Sequence, residues 1–147
     1  MFFNSAPSDP LFAYELAQMT WKLRDTAGEQ AIMRDATRLK PAPQAITFDR
    51  ANEFIPGSAW ISWADTLLVL LDGVTRLNHG VQYITQASLP IDRGIVGGVN
   101  LYLLDWANQT FDRLQTERVS RRQRIVIVGH SLGGAMAPMP RFKMGIT

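Results

Sequence analysis

The chain has 147 residues, 46% of them hydrophobic, with a formal net charge of +2, two histidines and no cysteine. That length and apolar content fit one domain with a buried core. The charge is too small to drive nucleic-acid binding by itself, and the absence of cysteine removes disulfide frameworks and thiolate metal sites.

In chain order, Pro7-Ser8-Asp9-Pro10 leads into a stretch where Leu11, Phe12, Leu16, Met19 and Leu23 fall near one side of a helix, with Asp9 as its cap or first-turn charge. The pattern predicts an amphipathic helix packed on a sheet. Membrane association is the sharper alternative, but Asp25 and Glu29 follow and the polar face carries little Lys or Arg. The segment from Arg34 to Lys40 ends at Pro41-Ala42-Pro43, a turn or loop, and residues 1–44 read as an N-terminal helical region. A short strand is predicted at Ala45-Ile46-Thr47-Phe48, a loop at Pro56-Gly57-Ser58, and an edge or buried strand at Ala59-Trp60-Ile61-Ser62-Trp63. Trp60 and Trp63 suit core packing; lining a ligand groove is the second use of such a pair. A stronger strand, Thr66-Leu67-Leu68-Val69-Leu70-Leu71, then runs into Asp72-Gly73-Val74.

Val81-Gln82-Tyr83-Ile84-Thr85 predicts a helix or a lid-like connector before Pro90. After Gly97-Gly98, the spacing of Val99, Tyr102, Leu103, Trp106, Phe111 and Leu114 predicts a helix with one apolar face and with Asp105 and Asp112 on its wetter side. Arg118, Arg121, Arg122 and Arg124 cluster before the next strand. With no recognition element or exposed stacking aromatics beside them, they read as a solvated connector, so no nucleic-acid partner is expected.

The most informative segment comes last. Four β-branched residues, Ile125-Val126-Ile127-Val128, run directly into Gly129-His130-Ser131-Leu132-Gly133-Gly134-Ala135. A sharp strand-to-helix turn leaves no room for side chains beside its central residue, so Gly129 and Gly133 stand where Cβ atoms would collide. Ser131 is thereby expected in a strained backbone conformation that pushes its Oγ out of the sheet. The Leu132 N–H, at the start of the following helix, is the natural donor to a developing oxyanion. The bland alternative is a Gly-rich turn without chemistry.

These residues resemble the nucleophile elbow of the α/β-hydrolase superfamily, and more narrowly the class 3, fungal-type lipases. The similarity covers about residues 60 to 137 and is sharpest at the elbow. It implies an α/β fold, a mostly parallel sheet with flanking helices, and the hydrolysis of acyl esters with Ser131 as nucleophile. It also implies that the turn after the 66–71 strand completes the oxyanion hole. The family usually has Arg-Gly-Thr or Arg-Gly-Ser there; Asp72-Gly73-Val74 lacks the hydroxyl, leaving the Val74 backbone N–H as the second donor. The matching histidine in such lipases packs behind the elbow, which assigns His130 to elbow support together with Gly129 and Gly133.

A serine hydroxyl needs a base, normally a histidine oriented by a carboxylate, and in this fold both follow the nucleophile. Residues 132–147 contain neither Asp, Glu nor His. His79, in Asn78-His79-Gly80, has two readings: a base near the cleft, in an order foreign to the fold, or a loop or helix-start histidine with a surface hydrogen bond. A relay from Asp105 or Asp112 would be equally nonstandard. Pro138 and Pro140 interrupt the helix that should leave the elbow, at about 3 kcal/mol for an interior proline.

The chain is therefore expected to form one incomplete domain over residues 1–147, with a sheet core at 45–137 and an irregular tail at 138–147. It reads as a truncated or frame-shifted hydrolase, a half of a split enzyme, or a noncatalytic scaffold. A second polypeptide or a second copy would cover the exposed sheet edge. No metal or nucleotide cofactor is expected, since no ligand cluster or dinucleotide fingerprint is present. No run of about 20 apolar residues predicts a transmembrane segment, and no signal-like N-terminus is evident. These features lean to the cytoplasm without fixing it.

Overall fold

The computed structural model describes residues 10–25, 27–85, 88–90, 98–117 and 124–137. The element order is α1 (Pro10–Trp21), a 3-10 turn (Lys22–Arg24), α2 (Gly28–Ala36), β1 (Ala45–Asp49), β2 (Ser58–Trp63), β3 (Thr66–Leu71), α3 (Leu77–Thr85), β4 (Ser88–Pro90), β5 (Gly98–Asn100), α4 (Leu101–Glu117), β6 (Arg124–Gly129) and α5 (Leu132–Met136). The expectations for residues 1–9, for Arg118, Arg121 and Arg122, and for the 138–147 tail lie outside the described residues.

The main sheet has the order β1-β2-β3-β6. It is mixed, which corrects the mostly parallel sheet expected from the sequence: β1 pairs with β2 and β2 with β3 antiparallel, and only β3 and β6 run parallel. Connection length decides this. Only Ala64 and Asp65 separate β2 from β3, and Ala64 takes a positive φ of 51° to close the turn. A parallel crossover needs about a dozen residues or more, so so short a link can only reverse the chain. The long segment from β3 to β6 contains α3 and α4 and allows the parallel pairing. A separate antiparallel ribbon joins β4 and β5.

Period-two alternation along β3 and β6 divides the apolar residues between two faces. Leu68 and Leu70, with Ala59, Ile61 and Trp63, pack against Leu16 and Met19 of α1 and Ile32 and Ala36 of α2; Val126 and Val128 join them. Leu67, Val69 and Leu71, with Trp60, pack against Tyr102, Leu103, Trp106, Ala107 and Leu114 of α4 and against Leu132 and Met136; Ile125 and Ile127 join from β6. β3 is buried along its whole length, as a continuous apolar strand must be when both faces are covered. Trp60 and Trp63 are both buried, one on each face. The 34–40 segment, within the expected N-terminal helical region, starts in α2 and buries Ala36 and Leu39.

Candidate functional site

The parallel register places Leu71 opposite Gly129, so β3 and β6 end at the same level. The His130 N–H continues the ladder by donating to the Leu71 carbonyl at 3.0 Å. Ser131 follows with φ 53° and ψ −117°, a positive φ that few residues other than glycine adopt. It is exposed and stands at the start of α5. The turn closes through Gly133 N–H to the His130 carbonyl, 2.9 Å, and Ala135 N–H to the Ser131 carbonyl, 3.2 Å.

Glycines set how closely this turn folds on itself and on β3. A Cβ on Gly129 would lie 2.1 Å from the Gly133 carbonyl oxygen, and one on Gly133 would lie 2.4 Å from the carbonyl oxygen of Asp72. The turn after β3 is equally close to the elbow: a Cβ on Gly73 would stand 2.8 Å from Ser131 Cβ and 3.4 Å from the Leu132 nitrogen. The structure therefore brings Gly129, Ser131, Leu132, Gly133 and the 72–74 turn together. Val74 is exposed beside α3, within van der Waals range of a Cβ added at Gly80. Among the described residues, neither the Val74 nor the Leu132 N–H donates a hydrogen bond.

Both imidazoles are engaged elsewhere. His79 lies in α3 and is fully buried, not at the surface. Its Nδ1 accepts from the Thr75 N–H at 3.4 Å, which puts the ring proton on Nε2, and Nε2 donates to the Asn52 carbonyl at 2.6 Å. His130 turns to the back of the elbow, where its Nδ1 lies 3.0 Å from Arg24 Nη2 and its ring meets Trp21 edge-on at 4.6 Å. A guanidinium only donates, so Nδ1 accepts. Neither ring nitrogen of His79 has a lone pair left for a serine hydroxyl. Asp105 and Asp112 are exposed on α4, and Asp105 accepts from Gln109.

Sequence reasoning missed the arginine at this site. Arg24 Nη2 also donates to Asp72 Oδ1 at 3.1 Å, and the same Oδ1 accepts the Gly73 N–H at 2.7 Å. The single available signal was Asp72, an acid where the resembling family carries an arginine; nothing local marks a partner 48 residues upstream. Trp60 borders a cavity of about 380 Å³ with Phe48, Ile55 and Arg113, whose lining does not include Ser131. Burial raises the Tyr102 phenol to about 12, and it donates to the Phe54 carbonyl at 2.6 Å. Among the described residues no group of three or more His, Cys, Asp and Glu could hold a metal ion, and no helix is long and apolar enough to cross a membrane.

The family described as Lipase (class 3) matches residues 62–143, more than half of the chain. The fold is similar to that of a fungal lipase solved as an inhibitor complex and described as a model for interfacial activation. The TM-score is 0.51 at 13% identity, covering 90% of this chain and 56% of that one. The chain thus spans little more than half the length of that lipase. No curated protein matches the sequence.

Proposed function

Because this chain belongs to the class 3 lipase family, we propose that Ser131 is the nucleophile of a lipase-like carboxylic-ester hydrolase acting on acyl esters. The observation that carries this reading is the backbone of Ser131. An exposed serine held at φ 53° beside the 72–74 turn is strained by about 1–3 kcal/mol, and that strain aims a hydroxyl away from the sheet. The Oγ attacks the acyl carbonyl, and the carbonyl electrons move to oxygen, where the N–H groups of Leu132 and Val74 receive the charge. Loss of one such donor typically costs about 10²–10³ in kcat. The apolar side chains of Val74, Leu77 and Val81 are exposed on and beyond the turn, which suits an acyl chain better than a charged substrate.

The proton leaving Ser131 Oγ needs an acceptor, and His79 and His130 are both committed to other bonds. On the hydrolase reading the base is therefore a group other than these two imidazoles. The engagement of both imidazoles also favours a second reading, a noncatalytic α/β scaffold that keeps the elbow geometry.

Intact-mass labelling with a fluorophosphonate distinguishes the two. The chain and its Ser131→Ala variant are compared alone and in a lysate of the source organism. One adduct that requires Ser131 supports the hydrolase, and an adduct seen only in lysate assigns the base to a partner. A folded chain that takes no adduct in either condition leaves the scaffold.

A further inference from the structure

We infer that Arg24 is a positioning residue that holds together the two turns flanking Ser131; as a statement about catalysis, this rests on the ester-hydrolase reading above. Arg24 belongs to the 3-10 turn that ends the N-terminal helix, far in sequence from either turn. Its Nη2 makes two hydrogen bonds: to Asp72 Oδ1 at 3.1 Å, in the turn after β3, and to His130 Nδ1 at 3.0 Å, in the residue before the nucleophile. One nitrogen thus ties the strand end that carries Val74 to the strand end that carries Ser131.

The coupling to the proposed oxyanion donors is equally short. Asp72 Oδ1, the atom that accepts from Arg24, also accepts the Gly73 N–H at 2.7 Å. Gly73 in turn abuts Ser131 Cβ and the Leu132 nitrogen. The Asp72 carboxylate is nearly inaccessible to solvent, so without the guanidinium it would be an unpaired buried charge. It would rotate toward water and release the Gly73 amide.

The surroundings of Arg24 identify what fixes the guanidinium. Its Cζ lies 4.1 Å from the centre of the half-exposed Trp21 ring, which in turn meets His130 edge-on. Its Nε is buried and has no hydrogen-bond partner among the described residues.

The test uses the full chain as wild type, Arg24→Ala and Arg24→Lys, with Arg50→Gln, which breaks an exposed pair with Glu29, as control. Amide spectra report the Gly73, Val74 and Leu132 resonances, and fluorophosphonate labelling reports Ser131. In Arg24→Ala those three amides should shift and exchange faster, and labelling should slow by about 10–100-fold, the range expected when reacting groups are misplaced by about 1 Å. Lysine keeps the charge but falls one bond short of both acceptors, so Arg24→Lys should fold normally and label at an intermediate rate. Millimolar guanidinium should restore labelling of Arg24→Ala, which a mere loss of stability would not allow, because guanidinium weakens folds. Arg24→Ala amides superimposed on those of the wild type, or labelling at the wild-type rate, would overturn the inference. If the wild type takes no adduct either alone or in lysate, the hydrolase reading fails, and the amide spectra alone decide for or against Arg24.

Discussion

Replacing Gly133 by alanine places one methyl group where the elbow meets the end of β3. The added Cβ would lie 2.4 Å from the Asp72 carbonyl oxygen, 2.6 Å from that of Leu71 and 3.0 Å from the Leu71 carbonyl carbon. Comfortable contacts begin near 3.5 Å, so roughly 1 Å of separation must be created. Neither side can give way cheaply. Leu71 is paired with Gly129 and its oxygen accepts the His130 N–H, while the Asp72 N–H donates to the Gly57 carbonyl at 2.9 Å. Overpacking generally costs about 1–3 kcal/mol, and a collision with backbone rather than a side-chain tip belongs at the upper end, about 3 kcal/mol. Whatever displacement occurs moves the 72–74 turn relative to Ser131, and a shift of about 1 Å lowers reactivity about 10²-fold. Urea denaturation reads the first effect and fluorophosphonate labelling the second. Gly80→Ala supplies the contrast: its nearest neighbour, Val74 Cγ1, is 3.9 Å away, and alanine in a helix interior gains about 1 kcal/mol over glycine. A Gly133→Ala chain with the wild-type urea midpoint and labelling rate would refute the steric reasoning.

Ser131→Gly should raise stability by about 1 kcal/mol in urea denaturation, because glycine adopts φ 53° without strain, and should abolish the adduct; an unchanged or lower midpoint would remove the strain argument. Leu70→Ala should lose about 2–5 kcal/mol, since Leu70 is fully buried among Leu16, Met19 and Ile32; a loss below about 1 kcal/mol would mean that this face of the sheet is loosely packed. The Tyr102 phenol is raised in the folded chain to about 12, against about 10 when unfolded. A raised value stabilises fully below the unfolded pKa and is lost as pH climbs through the folded one, so the urea midpoint should fall between about pH 10 and about 12. Tyr102→Phe should flatten that alkaline limb, and an identical limb in both chains would show that other groups cause it.

Much of the fold was legible because its causes are local. The apolar run of β3 and the spacing of Tyr102, Leu103, Trp106 and Leu114 in α4 carry their own periodicity, although Val99, expected on that helix, belongs to β5. The strand direction in the sheet was not legible through family resemblance. It follows from the two-residue link at Ala64 and Asp65, a feature present in the sequence but outweighed by the expectation of a parallel sheet. His79 illustrates a different gap. Asn78-His79-Gly80 reads as a polar surface segment, yet the Asn52 carbonyl, from a distant loop, accepts from its Nε2 and draws the ring inside.

By itself the sequence determined the strand-turn-helix around Ser131, because the steric demands of that turn are met within Gly129 to Gly133, residues that are neighbours in the chain. Only the tertiary structure decided what surrounds it. Arg24 reaches Asp72 across 48 positions and His130 across 106, and no local pattern encodes such pairings. They arise when α1 and the 3-10 turn pack on the sheet and bring one guanidinium between two strand ends. A buried carboxylate and an imidazole nitrogen accept there from the same guanidinium nitrogen, and that sharing depends on distances the linear order of residues does not contain.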